Sequence, residues 1–515
     1  MNKRFSRGLW WVKRDFRLCD NEALCHAIEL CDTVVALFII EPALCKAPES
    51  SFLHFLAWQQ ACEHLSEQLD AKGGRLITRV GNAADVFEDL YKRYQFEALF
   101  SHQETGSELT YKRDCQIVRW AHSHKVPWFE SFQNGVVRGL QNRDDRQPVI
   151  RERLFESQSR ATPSQFTAWS DTPSSDAWPS FETVSGRLRD ERIQVRKLQP
   201  VTEADAQKTL QAFLYDRGVA YAGGISSPNT AFAAGSRLSV HLAWGTISLR
   251  QVFTALRVRT EELAKQPNAK SAQWRKSLNA FQARLHWHDH FMQRLESAPD
   301  MERAAINPAY RHIEYGDCKP VLQAWMQGTT GLPLVDACVR CLAATGFLNF
   351  RMRAMLVTTG CFGLAQSWQA LQYPLARLFL DYEPGIHFSQ IQMQAGVVGI
   401  NTLRVYSPHK QLVDHDPHGA FVKKWIPELR PFSADSIRNY ESESLGDYPE
   451  PIVDIKSTAK IIKDQIYAVR KSEQGQEEAA RMLDLHGSRK RAASNKKTAA
   501  KKNQIPDAQL KLDFD

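Results

Sequence analysis

The run Gly235-Ser236-Arg237-Leu238-Ser239 combines a turn that glycine permits, two hydroxyls and consecutive backbone N–H groups opening a helix. That is equipment for holding a pyrophosphate. An ordinary helix N-cap has the same composition, so the run alone leaves both readings open. His286, His288 and His290 cluster around Trp287 and Asp289, with His312 further on. Alternate positions on a helix fall on different faces, so His286 and His288 are not expected to share a metal. Cys338 and Cys341 have ligand-like spacing, but Val335, Val339 and Leu342 surround them in a helical pattern. They read as buried structural thiols, and no metal is expected.

The elements that must position these residues fall into four stretches. Over residues 1–135, Leu9–Val12, Thr33–Ile40, Arg75–Val80 and Ala98–Ser101 read as strands, and Ser51–Asp70 and Ala83–Tyr94 as helices. This alternation predicts an α/β domain with a parallel, Rossmann-like sheet. Residues 136–202 are rich in Pro, Ser, Asp and Arg with weak periodicity and read as an interdomain linker. From 203 to 487, Leu, Phe, Trp and Ala recur at i, i+3 and i+4, which predicts an all-helical domain. Residues 488–515 change to a Ser/Lys/Arg/Ala composition expected to be disordered.

With 43% hydrophobic and 24% charged residues the chain reads as globular, and its 515 residues call for more than one core. No apolar run reaches the ~18–20 residues of a membrane span, and Lys13 and Arg14 cut off the short run Leu9–Val12 that might have been a signal core. Cytoplasmic residence as a monomer, with no membrane contact, is expected, and ten cysteines there stay thiols. The net charge of +8 is concentrated: seven Lys or Arg and no acid lie between Arg489 and Lys502, leaving +1 for everything else. A basic tail of this kind suits nucleic acid.

Four ordered blocks carry a resemblance: Leu9-Trp10-Trp11-Val12-Lys13-Arg14-Asp15-Phe16-Arg17-Leu18, the 235–239 run, Gly328–Ala337 continuing to Thr345–Arg353, and Leu403-Arg404-Val405-Tyr406-Ser407-Pro408. Together they resemble the photolyase/cryptochrome family over roughly residues 8–487. The resemblance implies an antenna-cofactor domain followed by a helical FAD-binding domain. It also implies FAD held through Tyr221, Gly235, Ser236, Arg237, Leu238, Ser239, Phe281 and the Arg353–Asp381 pair, with Glu383 in place of a second Asp. His387 falls where the family faces flavin N5, and a buried core histidine is the competing reading of it. An antenna of folate, deazaflavin or lumazine type is implied without its identity. An iron–sulfur cluster is not expected, since no cysteine follows Cys361.

Several positions depart from the family. Where dimer-splitting photolyases carry Glu three residues before Trp, this chain has Arg284 before Trp287. Trp287 keeps the stacking surface, Arg351 remains for a phosphate or base contact, and Arg404 and Trp425 stand at places that match the family's motifs. Phe350 and Ala354 replace the His pair of (6-4) photolyases, and Phe347 replaces a usual Trp. In the electron-transfer chain Ile391 takes the flavin-proximal place, leaving Trp368 and Tyr315. Light-driven, FAD-dependent repair of pyrimidine dimers in DNA is the leading expectation, with Trp287, Arg284, Arg351 and His387 at the reacting centre. A cryptochrome-like photoreceptor without repair is the second, and a nucleic-acid-bound flavoprotein without light function the third. The terminal Gln509-Leu510-Lys511-Leu512-Asp513-Phe514 resembles the peptide by which bacterial repair proteins dock on the sliding clamp, with Gln509, Leu510, Leu512 and Phe514 as anchors. A chance hexamer is its alternative.

Overall fold

The computed structural model describes residues 3–486 other than 158 and 266. Five strands, β1 (Phe5–Val12), β2 (Cys31–Ile40), β3 (Leu76–Val80), β4 (Ala98–His102) and β5 (Trp128–Ser131), form one parallel sheet in the order β3-β2-β1-β4-β5. In β1, Leu9 faces Val35 on one side and Leu99 on the other, and Leu9 to Val12 are all buried. A central parallel strand is covered on both faces, which is why it is written as an unbroken apolar run rather than an alternating one. Helices Glu22–Leu30, Phe52–Asp70, Ala83–Tyr94 and Glu108–Ser123 make the crossovers. The strand order reverses between β1 and β4, so a crevice opens at their C-terminal ends.

Residues 136–202 are no loose connection. Phe166, Trp178, Phe181 and Val184 pack into the core on one face of the sheet and Trp169 into the other. Thr167 accepts from the Val34 N–H at 2.8 Å, and the Asp176 N–H donates to Thr78 at 3.0 Å. Their isolated aromatics cover the sheet margin, a role that leaves no periodic trace.

The rest is helical, centred on Pro333–Thr345, which is buried at all but one position. Its entry turn is held by Asp336, whose carboxylate accepts from the Thr330 N–H (2.9 Å), the Thr330 hydroxyl (2.7 Å), the Gly331 N–H (3.1 Å) and the Tyr448 hydroxyl. Gly331 has φ +78°, and a Cβ there would collide with the backbone of Glu450 and Pro451. Only glycine fits that turn. The Lys13–Leu18 block joins the two domains: Arg17 donates to the Gly245 carbonyl at 2.9 Å, and the Leu18 and Cys19 N–H groups donate to Glu203 at 2.8 and 2.9 Å. Arg250 pairs with Asp20 at 2.7 Å across the same seam. No helix among the described residues is long and apolar enough to cross a membrane.

Candidate functional site: a cleft in the helical domain

The long helix Ala269–Ser297 starts from a capping box between Asn268 and Ser271. It presents Phe281, Arg284, Trp287, His288 and Phe291 to a partly open cleft of ≈ 1380 Å³ counted out to its mouth. The opposite wall is built from Phe347 to Arg351, Arg353 and Asp381, and the rim from Tyr221 and Gly235 to Ser239. These scattered positions therefore line one cavity.

At the rim, a Cβ on Gly235 would meet the Ala231 carbonyl oxygen at 2.6 Å, and Arg237 adopts φ +61°. The turn is fixed from behind: Arg217 takes the carbonyls of Gly235 and Ser236, the latter at 2.6 Å, and Gln199 takes that of Arg237 at 2.7 Å. The Arg237 guanidinium lies 3.6 Å from the Phe347 ring centroid, and its Nη1 is buried without a partner. Burial brings its pKa down to about 10 despite Asp381 nearby. A buried cation with an idle donor is suited to an anionic group. Phe347, at the place of a usual Trp, thus acts through its ring face.

Arg353 and Asp381 form a two-pronged ion pair, Nη1–Oδ1 3.1 Å and Nη2–Oδ2 2.9 Å, and Arg353 Nε donates to Leu348 at 2.6 Å. Asn349 gives its amide to Ile225 and Ser226 at 3.0 and 2.9 Å, while its Oδ1 has no partner. Tyr221, held edge-on to Phe281 with ring centroids 5.7 Å apart, is buried, which raises its pKa to about 12 against an opposing hydrogen bond from Arg284. Trp287 packs against His290 and Phe291, each at 5.3 Å. The Arg351 side chain reaches Ser226 at 3.5 Å.

Two expected residues lie elsewhere. His387 does not line the cleft: its Nε2 sits 2.8 Å from the Gln372 carbonyl among the rings of Phe379, Tyr382 and Phe388. Burial lowers its pKa to about 4, so it is a neutral core histidine. The helix Pro384–Gln394 instead turns Ile386, Gln390 and Met393 toward the cleft, and Gln390 Oε1 is buried without a partner. Glu383 meets His288 rather than the cleft, Oε2 to Nε2 2.8 Å. Burial opposes that pair on both sides, yet attraction wins, lowering Glu383 and raising His288. Trp368 and Ile391 are buried in the helical core with Tyr315 packed against it, and none of the three lines the cleft. No group of three or more metal-ligating side chains exists among the described residues, and Cys338 and Cys341 are buried thiols.

Gln390, Met393 and the acceptor role of Asn349 were missed by sequence reasoning. The i, i+4, i+7 spacing of 386, 390 and 393 was the available signal. Idle polar atoms on Arg237, Asn349 and Gln390 in an apolar, partly open cleft fit a large cofactor that carries both a charged group and a polar ring.

A family model described as the FAD-binding domain of DNA photolyase matches residues 281–468, and a second, described as DNA photolyase, matches residues 8–172. A deoxyribodipyrimidine photo-lyase of Alkalihalophilus pseudofirmus is 22% identical over 86% of this chain and 94% of its own length. A cryptochrome DASH of Solanum lycopersicum is 23% identical over 84% of this chain and 79% of its own. The crystal structure of a class III photolyase from Agrobacterium tumefaciens superposes with a TM-score of 0.77 over 92% of this chain and 99% of its own, at 22% identity. The chain belongs to the photolyase/cryptochrome family, with an α/β N-terminal domain and a helical FAD-binding domain.

Proposed function

We propose that the chain is a light-driven photolyase that repairs pyrimidine dimers in DNA, using FAD held in the helical cleft. One observation carries the reading: Trp287, Arg284 and Arg351 line the same cavity as Arg237, Arg353 and Asp381. A flipped lesion stacked on Trp287 would then lie in the compartment that holds the cofactor. Bound FAD supplies light absorption and one-electron transfer. The chain's own residues bind and orient: Arg237 and the 235–239 turn hold anionic oxygen, Arg353 with Asp381 fixes the ring's polar edge, and Gln390 and Asn349 offer idle acceptors. Arg284, hydrogen-bonded to Tyr221, places a permanent cation beside the lesion, where it favours negative charge developing there.

The crevice at the switch point of the sheet, lined by Lys13, Arg14, Phe38, Glu41, His54 and Trp58, is our place for an antenna chromophore of folate, deazaflavin or lumazine type. The clamp-docking peptide with Gln509, Leu510, Leu512 and Phe514 lies outside the described residues. It remains a proposal for a peptide-binding assay, in which Leu512→Ala with Phe514→Ala removes binding to a bacterial sliding clamp.

A cryptochrome-like photoreceptor is the second reading, and the cation at Arg284 in place of a carboxylic acid favours it. The two are separated by illuminating photoreduced protein with oligonucleotides carrying either dimer and following product by chromatography. Repaired base in the light and none in the dark supports the photolyase. No repair of either lesion, with FAD bound, supports the photoreceptor.

A further inference from the structure

Arg294 lies outside the cleft, one turn beyond His290 on the helix Ala269–Ser297, and is only 4% exposed. Its Nη2 is 3.1 Å from His290 Nε2 and 3.5 Å from the carbonyl of His486, the last residue of the helix Glu473–His486. Phe291 covers it, with the ring centroid 5.4 Å away. Nε and Nη1 are buried with no hydrogen-bond partner. Among the described residues no Asp or Glu forms an ion pair with Arg294. Asp289, on the same helix, is taken by Arg146 and by the Gly135 N–H at 2.9 Å.

Among the described residues, the groups that weigh most on this guanidinium and its histidines are basic. Burial and then Arg143 bring Arg294 down to about 10. Burial, then Arg294, Arg143, Arg146 and His486, hold His290 well below its ordinary value. Burial, then Arg294, Arg143 and Arg481, take His486 to about 4. A buried cation without a counter-charge is strongly unfavourable, and surrounding it with further bases compounds the cost. His290 and Arg143 are half-buried, so the cluster is not sealed wholly inside the core.

We infer that Arg294, with His290, His486 and Arg143, forms a binding site for a phosphate-type oxyanion, separate from the FAD cleft. The guanidinium supplies two idle donors in a fixed orientation, and an arriving anion turns mutual repulsion into attraction. The histidines gain protons as the anion binds, so binding takes up protons and strengthens as pH falls from 8 to 6. The phosphate belongs either to a small soluble molecule or to a nucleic-acid backbone.

The test uses the full-length, FAD-loaded protein. Phosphorus NMR of inorganic phosphate is expected to show saturable broadening with wild type and with the surface control Lys208→Ala, and at least tenfold weaker binding with Arg294→Met. Calorimetry of wild type in two buffers of different ionisation enthalpy is expected to show proton uptake, a readout that stands even where the variant fails to fold. In a second arm, undamaged duplex in the dark losing about tenfold affinity in Arg294→Met, with a salt slope reduced by about one, assigns the phosphate to nucleic acid. Equal behaviour of wild type and Arg294→Met in both arms, or no binding by wild type in either, overturns the inference and leaves Arg294 a helix-capping residue. FAD absorbance recorded on the same samples keeps this outcome distinct from a failure of the cofactor reading.

Discussion

Arg284 is the residue on which the chemistry turns, because a guanidinium cannot donate and recover a proton as a carboxylic acid does. Three residues before Trp287 on one helix and hydrogen-bonded to Tyr221, it shares the cleft wall with that indole. Arg284→Ala is expected to weaken binding or repair of dimer-containing DNA at least tenfold while FAD content, read from absorbance, stays unchanged. Equal repair by the variant would show that the cation does not reach the lesion. The same scale explains how His387 was misplaced. Counting along the chain sets it opposite the cofactor, but the face of Pro384–Gln394 that meets the cleft is chosen by packing. Ile386, Gln390 and Met393 lie on that face, and His387 is turned roughly 100° from Ile386, one residue's rotation on a helix.

At the scale of elements, the entry turn to Pro333–Thr345 depends on one carboxylate. Removing Asp336 leaves the Thr330 and Gly331 donors and the Tyr448 hydroxyl buried and unsatisfied, at a cost on the order of 3 kcal/mol. Asp336→Ala is therefore expected to lower the urea midpoint and release FAD, with Asp336→Asn intermediate. An unchanged midpoint would mean water reaches the turn. Electron transfer belongs to this scale too. Ile391 is in the core where a relay aromatic is expected and Trp368 lies outside the cleft, so Trp368→Phe is expected to reduce flavin photoreduction only in part. Complete loss in a flash-photolysis measurement would restore Trp368 as the obligatory relay.

Central strands were legible because burial on both faces writes them as apolar runs, and Ala83–Tyr94 because its apolar face repeats with helical period. Strand β5 escaped notice as a four-residue, half-buried edge. The cover supplied by Phe166, Trp169, Trp178 and Phe181 escaped because isolated aromatics in a Pro/Ser-rich stretch have no period. The rim of the cleft stood out by its glycine and hydroxyls, but the Arg237–Phe347 contact joins residues 110 apart in number and leaves no local pattern.

For the whole molecule, buried histidines set the response to acid. Burial lowers His54 to about 3 and His241, His387 and His486 to about 4. Between those values and ~6.5 the unfolded chain binds more protons than the folded one. Stability from these groups is thus full above ~6.5 and lost as pH falls toward 4. The His288–Glu383 pair runs partly against this. The raised His288 contributes below ~6.5 and fades as pH rises through its folded value, and the lowered Glu383 contributes above ~4.5 and fades as pH falls through its own. The depressed histidines, His290 among them, outweigh the one raised, so the urea midpoint is expected to fall steadily from pH 6.5 to 4. His387→Phe is expected to flatten that slope, and a midpoint independent of pH across the window would contradict the burial of these rings.

The central claim is that cofactor and lesion share one cavity, so that an electron crosses between them without leaving the cleft. Its most direct measurement is the excited-state lifetime of the reduced flavin in the purified protein, recorded with a dimer-containing oligonucleotide and with the undamaged sequence. The account predicts a lifetime several-fold shorter with the dimer, unchanged with undamaged DNA, and restored by Trp287→Ala. A lifetime indifferent to a bound dimer would contradict it.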